Sequence, residues 1–482
     1  MRVLILILAH CLFLASGRSI KLPDMGAKLS SKSNAKFETV PSDEESSLII
    51  AQKKEKIIIN GPLCMFGGML AHMAFGTMYC WANFLSYVPP SLQFFDGTQK
   101  AGQPDALYVL PVLIICQCVA MPVGTSVVNI LGASKSLLLG GFLVSLGVFL
   151  SSFAKSLPIF MLAYSLLFGS GVGMGYTAPM IAGWKWLPSS KGLVSGVILM
   201  GYGLGGFIFN LVGTKLANPN GLEPINGRFP DEVYANFPKM LRTLSIMYAA
   251  LFLLGSVMIT EPAPLPPSTA SAQKKSSSTK VPLDLTVSQA VRTPQFWLIW
   301  SMIIMSASTS LNVANIYKRF ATTAEALHGD AFQATVGGLG AVCNGGGRLI
   351  WGMVSDKIGF KKSFLILTIL ETILQIIYPY SKSSKPMFLV MTCLCFFCLA
   401  GNFALVPPAI QRLYGSLNGA KIYSYLFSAF GVASVGGLFL SKALLASFGW
   451  EVVFRVLAGI SFISAILTTF LTPVKSYAAS VV

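Results

Sequence analysis

Apolar residues fall into long blocks along this chain, broken by short stretches rich in Gly, Pro, Ser and Lys. Leu137 to Phe153 and Leu157 to Ile181 are two such blocks. Each is long enough to cross a hydrocarbon layer of roughly 30 Å as a helix. Twelve blocks of this kind recur, near residues 60–87, 106–129, 136–154, 157–182, 192–214, 241–260, 294–316, 332–354, 363–380, 386–409, 423–445 and 453–473. A backbone in lipid must satisfy its own hydrogen bonds, and a helix does so within one segment. The pattern predicts an all-α, polytopic membrane protein with twelve transmembrane helices.

The blocks divide six and six. Residues 60–260 and 294–474 form the two halves, and "EPAPLPPSTASAQKKSSSTKVPLDLTVSQAVRT", residues 261–293, has the Pro, Ser and Lys content of a solvated linker. The halves repeat each other. "NILGASK" (Asn129, Gly132, Lys135) echoes "DKIGFKK" (Asp356, Gly359, Lys362), and "KGLVSGVILMGYGLGG" echoes "YSYLFSAFGVASVGG" at nearly the same offset. Parallel six-helix repeats place a binding site between them near the membrane midplane and predict alternating access by rocking.

Ahead of the first half, residues 1–17 resemble a secretory signal, with a short apolar core ending in small residues. Residues 18–59 read as a basic, Ser-rich disordered tail, and 475–482 as a short C-terminal tail. The leader and the basic stretch together also fit a two-part plastid-targeting signal. A plain cytoplasmic tail behind an uncleaved apolar start fits equally. The expected location is the plasma membrane, with a plastid-type organelle membrane as the alternative. The basic tail and linker place both chain ends on the cytoplasmic side.

Composition agrees with this class. The chain is 54% hydrophobic and 11% charged, against about 25% charged residues in soluble proteins. Its net charge of +17 does not indicate nucleic acid, because eight of the cations lie between Arg18 and Lys56 and most others in short loops. There the anionic leaflet favours them. The nine cysteines are scattered. Cys393, Cys395 and Cys398 spread around one apolar helix, so they read as small hydrophobes rather than as metal ligands. Neither a metal, a cofactor nor a disulfide framework is expected.

Several stretches are more specific. "GMVSDKIGFKK" fits the pattern G-x-x-x-D-[RK]-x-G-x-[RK]-[RK] at a helix–loop–helix join; it resembles the loop signature of the major facilitator superfamily, which implies a gating loop of Gly352, Asp356, Lys357, Gly359, Lys361 and Lys362. The first-half copy has Thr125 and Asn129 in place of the first glycine and the acid. "GSGVGMGYTAP" lies inside a span with no strand before it, so its glycines serve helix packing rather than dinucleotide binding. "GWKWLPSSKGLVSG", "GTMYCWANF", "LDLTVSQAVRTPQFWLIW" and "NGGGR" complete the set.

Together these motifs resemble the major facilitator superfamily, in its oxalate:formate antiporter and monocarboxylate transporter branch, from about residue 60 to 474. The resemblance implies the major facilitator fold and transport of a small organic anion by a monomeric unit in the bilayer. It also implies that Arg348, in the eighth span, binds the substrate carboxylate. An arginine inside a span costs about 2.5–3.5 kcal/mol on insertion scales, and its planar fork suits a carboxylate. The alternative is an arginine reaching back to the headgroups, since Asp356 lies only about 12 Å further along the helix.

Two departures from the branch bear on the substrate. Asn344 stands where the monocarboxylate transporters carry a titratable aspartate, and Phe430 where the oxalate transporters carry a lysine. One cation and one aromatic suit a monoanion, because a second carboxylate would lie unpaired in a dry site. Exchange or facilitated movement is then expected over proton symport. Tyr79, Trp81, Tyr202, Asn210, Asn312 and Asn315 are further cavity candidates, and His72 and Glu371 are the candidate proton-linked groups. A membrane-embedded enzyme would need a nucleophile–base pair or a metal cluster in the spans, which His72 and Glu371 alone do not supply. A transporter of another solute with a structural Arg348, or a non-transporting sensor, remains the rival reading.

Overall fold

The computed structural model describes residues 43–97, 104–224, 228–262, 284–327 and 330–472. The signal-like leader 1–17, residues 18–42, residues 263–283 of the linker and the tail 475–482 lie outside the described residues. In chain order the long helical segments of the first half are α1 (Ile59–Tyr87), α2 (Asp105–Leu131), α3 (Ala133–Ser151), α4 (Leu157–Trp186), α5 (Lys191–Ala217) and α6 (Asp231–Met258). The second half begins with α7 (Pro294–Ala321) and α8 (Asp330–Ile358). It continues with α9 (Phe360–Ser383), α10 (Lys385–Leu413) and a helical stretch Gly419–Thr469. Gly449, at φ 77°, divides that stretch into α11 (419–448) and α12 (450–469).

Ten of these segments are long and apolar enough to cross a membrane, with Gly419–Thr469 taken as one. Residues 419–469 contain two crossings, and α8 is diluted by its glycines, Asn344 and Arg348. The twelve crossings expected from the hydropathy pattern are therefore all present as helices.

Three boundaries differ from the sequence expectation. The helix leading into α1 starts at Asp43, inside the stretch 18–59 expected to be irregular. "DEESSLIIAQKKEKIII" opens with acids, which suit a helix N-terminus, and continues in helix formers. α6 starts ten residues before the predicted span, because Val233, Phe237, Met240, Leu241 and Leu244 form a buried stripe at helical spacing. The end of the linker is also structured: Val287–Val291 is a short helix held by a Thr286–Gln289 capping box. Leu285 N–H donates to Tyr414 O (3.2 Å), and Leu417 N–H to Asp284 Oδ1 (3.0 Å), so residues 284–293 dock on the α10–α11 loop.

The repeat seen in the sequence is repeated in the backbone. Gly132 joins α2 to α3 at φ 81°, and Gly359 joins α8 to α9 at φ 82°. This left-handed geometry carries no steric cost for glycine. The halves meet where α5 packs on α8 and α2 on α11. A Cβ added to Gly196 would lie 2.7 Å from Arg348 O, and one added to Gly203 would collide with the Gly345 backbone. Small residues thus let two helix backbones touch, the usual route to tight association in lipid.

Candidate functional site

A small cavity lies between the halves, lined symmetrically by equivalent spans. Met78, Tyr79, Ile114, Gln117, Tyr176 and Tyr202 come from α1, α2, α4 and α5, and Leu311, Arg348, Phe403, Phe427, Phe430 and Ser434 from α7, α8, α10 and α11. The lining holds one cation and no acid.

Arg348 is 1% exposed, so its side chain turns into the interior rather than along the helix to the surface. Its Nε donates to Asn344 Oδ1 (3.0 Å) and its Nη1 to Leu199 O (3.3 Å), and Tyr79 lines the same cavity. Arginine has five N–H donors, so the fork keeps capacity for a ligand. Rings cover it on two sides, Tyr202 at 5.0 Å and Phe403 at 4.9 Å. No described carboxylate forms an ion pair with it. Phe430 stacks on Phe403 with centroids 4.5 Å apart, and the buried Tyr176 and Tyr202 hydroxyls have no hydrogen-bond partner among the described residues. The arrangement offers one planar cation, several neutral polar groups and apolar walls.

Of the residues expected at the site, Arg348, Tyr79, Tyr202 and Phe430 line this cavity, and Asn344 orients Arg348 from one turn away. Trp81 does not reach it. Its Nε1 donates to Ala106 O (2.9 Å), and its ring packs on Phe160 and Tyr164. The reason is local: residues two apart on a helix lie about 200° apart around its axis, so with Tyr79 turned towards the cavity Trp81 points away. Asn312 is also drawn elsewhere, donating to Gly437 O (3.1 Å) and to Ser441 Oγ, which ties α7 to α11. Asn210 is half-buried and Asn315 exposed, and neither lines the cavity.

The two candidate proton-linked groups lie near the cavity but outside its lining. His72 is fully buried among Phe75, Tyr176 and Tyr202. Its Nδ1 is 2.9 Å from Gly68 O, and its Nε2 has no hydrogen-bond partner among the described residues. Glu371 in α9 accepts from Ser306 Oγ (2.7 Å), Ser461 Oγ (3.1 Å), Asn402 Nδ2 (2.8 Å) and Ser310 Oγ.

The expected gating loop closes the linker-side end of the bundle, chiefly through Asp356. Its carboxylate accepts Gly192 N–H (2.8 Å) and Leu193 N–H (2.7 Å) and pairs with Arg412. An acid of the second half therefore caps the N-terminus of α5 in the first, satisfying amides that a helix start leaves free. Gly352 permits this by lying against the Gly192 backbone. Lys361 Nζ donates to Thr469 O (2.7 Å), while Lys357 and Lys362 are exposed. Among the described residues the first half has no matching latch from its own loop, where Asn129 is exposed. There Glu261 accepts Ala133 N–H (3.0 Å) and pairs with Lys185, all within one half.

Sequence reasoning missed Tyr176, Phe403 and Phe427. The available signal was an aromatic beside a proline-broken span: Tyr176 follows the glycine run before Pro179, and Phe403 precedes Pro407 and Pro408. The eight described cysteines are free thiols, with Cys395 and Cys398 inside the apolar core of the second half.

A family model described as Major Facilitator Superfamily matches residues 70–343 and 320–480. The chain is 26% identical over 490 aligned positions to apicoplast pyruvate carrier 1 of Toxoplasma gondii, covering 86% of this chain and 90% of that one. It is 28% identical over 411 positions to the oxalate:formate antiporter of Oxalobacter formigenes, with 84% and 90% covered. Among solved structures, a proton:xylose symporter superposes with a TM-score of 0.65 at 12% identity, over 86% of this chain and 96% of the other. At that identity the likeness speaks for the fold alone. The chain belongs to the Major Facilitator Superfamily and is a multi-pass integral membrane transporter rather than an enzyme.

Proposed function

We propose that this transporter carries a small organic monoanion of the monocarboxylate kind by alternating access, through exchange or facilitated movement. The observation that carries the reading is Arg348: a buried guanidinium, stacked between rings, with no carboxylate paired to it among the described residues. A substrate carboxylate supplies the missing charge and takes the free N–H groups in a bidentate pair. The names of two relatives, a pyruvate carrier and an oxalate:formate antiporter, point to the same substrate class.

Charge balance then selects among anions. With one cation and no acid in the lining, a monoanion leaves the loaded cavity neutral, whereas a dianion buries one uncompensated charge. Phe430 fills the position facing Phe403 with an apolar wall instead of a second cation. Asn344 orients the guanidinium without titrating, which favours exchange over proton symport. The Asp356 cap on α5 and its pair with Arg412 act as the linker-side gate, and breaking them releases the halves on that side. One chain supplies both halves that wall the cavity, which supports a monomeric transport unit. The location of the apicoplast relative, beside the leader-like N-terminus, favours a plastid-type membrane over the plasma membrane.

The test is uptake and counterflow in liposomes reconstituted with the full chain. Labelled formate, acetate, lactate, pyruvate, oxalate and a sugar are compared, with and without internal substrate. Saturable, trans-stimulated movement of a monocarboxylate is the expected result. Transport of the sugar alone, or of none of these anions, overturns the reading.

A further inference from the structure

Glu371 is the least expected side chain in the second half. It is a fully buried acid with no ion pair among the described residues, and it does not line the cavity. Its partners come from three neighbouring helices: Ser306 and Ser310 of α7, Asn402 of α10 and Ser461 of α12. Asn402 Nδ2 also donates to Ser310 Oγ (3.2 Å), which closes the network. A carboxylate with four donors is well satisfied, but a purely apolar knot would hold four helices together equally well. The position of the knot is therefore informative.

Asn402 is the residue before Phe403, the ring that covers Arg348 and stacks on Phe430. Just beyond lie Pro407 and Pro408, inside α10. A proline has no N–H to give to the carbonyl four residues earlier, so the carbonyls of Phe403 and Ala404 lose their helical donors. α10 is weakened at the turn that carries the ring against Arg348, and the helix alone does not hold that turn. The hydrogen bond from Asn402 to Glu371 (2.8 Å) clamps the last intact residue before it.

We propose that Glu371 is a positioning residue for anion binding: through Asn402 it holds Phe403 over the guanidinium of Arg348. The inference rests on the reading of Arg348 as the anion site, and it gives Glu371 a role that does not depend on carrying a proton. Glu371→Gln keeps the tie, because the Asn402 amide flips to accept from the new amide. Glu371→Ala and Asn402→Ala both cut it.

The experiment compares these variants with Thr392→Val in reconstituted full-length protein, with labelled pyruvate and formate as probes. Thr392 is buried in α10 and pairs with Tyr378 (2.8 Å), eleven residues before Phe403, so its variant reports the loss of a buried hydrogen bond elsewhere in the same helix. Couplings relayed through packed side chains change affinity by about two- to thirtyfold. Glu371→Ala and Asn402→Ala are accordingly expected to raise half-saturation about tenfold at a similar maximal rate. Glu371→Gln should stay near the parent, and Thr392→Val should lower only thermal stability. Amide hydrogen exchange in residues 403–406 gives a readout without substrate, and should quicken in Glu371→Ala but not in Thr392→Val. Unchanged half-saturation and unchanged exchange in both alanine variants overturn the proposal. So does loss of transport in Glu371→Gln with binding retained, which would make the charge itself the active feature. If the parent moves neither probe while exchange at 403–406 still quickens, the anchor stands and the anion reading fails.

Discussion

Replacing Arg348 by Gln tests the anion site directly, and the structure sets opposite expectations for stability and transport. On the stability side, the substitution removes a cation whose presence in a span costs about 2.5–3.5 kcal/mol. It also removes two hydrogen bonds, to Asn344 and Leu199, each worth about 0.5–1.5 kcal/mol net. Two cation–π contacts, to Tyr202 and Phe403, account for about 0.5–2 kcal/mol each. At mid-range the two sides differ by only about 1.5 kcal/mol, so thermal stability in detergent and membrane insertion should be close to the parent's. Substrate binding has no such offset. Truncating one partner of a buried, hydrogen-bonded charge pair costs about 2–5 kcal/mol, or roughly 30- to several-thousand-fold in affinity. The assay is counterflow of labelled monocarboxylates into liposomes with matched amounts of correctly inserted protein, beside a thermal melt. Half-saturation within about threefold of the parent would refute the assignment, since at least about one order of magnitude separates it from the expected loss. Arg348→Lys should also be poor, because a point charge does not reproduce the planar fork.

Phe430→Lys returns a second cation beside Phe403 and should raise the relative affinity for oxalate over monocarboxylates; competition against labelled formate measures it. Asn344→Asp places an acid on Arg348 Nε, where its ionised form competes with substrate. Uptake by this variant should rise as pH falls, while the parent's stays flat over the same range. Asp356→Ala uncaps α5 and frees Arg412. The cap is worth about 1 kcal/mol, and the ion pair adds little because Arg412 is a third exposed. The linker-side open population should thus grow roughly fivefold, read as a longer distance between spin labels at the ends of α5 and α10. Gly203→Val drives a side chain into the Gly345 backbone and should lower the melting temperature by the equivalent of about 1–3 kcal/mol; a melt at the parent temperature would contradict the close α5–α8 contact.

Much of the architecture was legible before any coordinates. Block length and hydropathy marked the crossings, and the repeated loop located Gly132 and Gly359, which share one backbone conformation. Arg348 stood out because a cation inside an apolar block is costly wherever the helix faces. Helix ends were less legible. α6 begins with an amphipathic turn that lowers local hydropathy without ending the helix, and α8 is diluted by the small and polar residues that the interface uses.

The amino-acid sequence alone determined the class of molecule, the six-plus-six organisation and the one residue most out of place. Each of these depends on composition within a single segment or on comparison of one segment with another. The tertiary structure alone decided which side chains share the cavity. Helices in lipid are apolar all round, so periodicity does not reveal which face turns inward. Hence Tyr79 reaches the cavity while Trp81, two residues on, packs against Phe160, and Asn312 is spent on tying α7 to α11. Asp356 caps a helix 164 residues away in the chain, and Glu371 finds its donors on α7, α10 and α12. These pairings are set by helix rotation and close approach, and they exist only once the helices have packed.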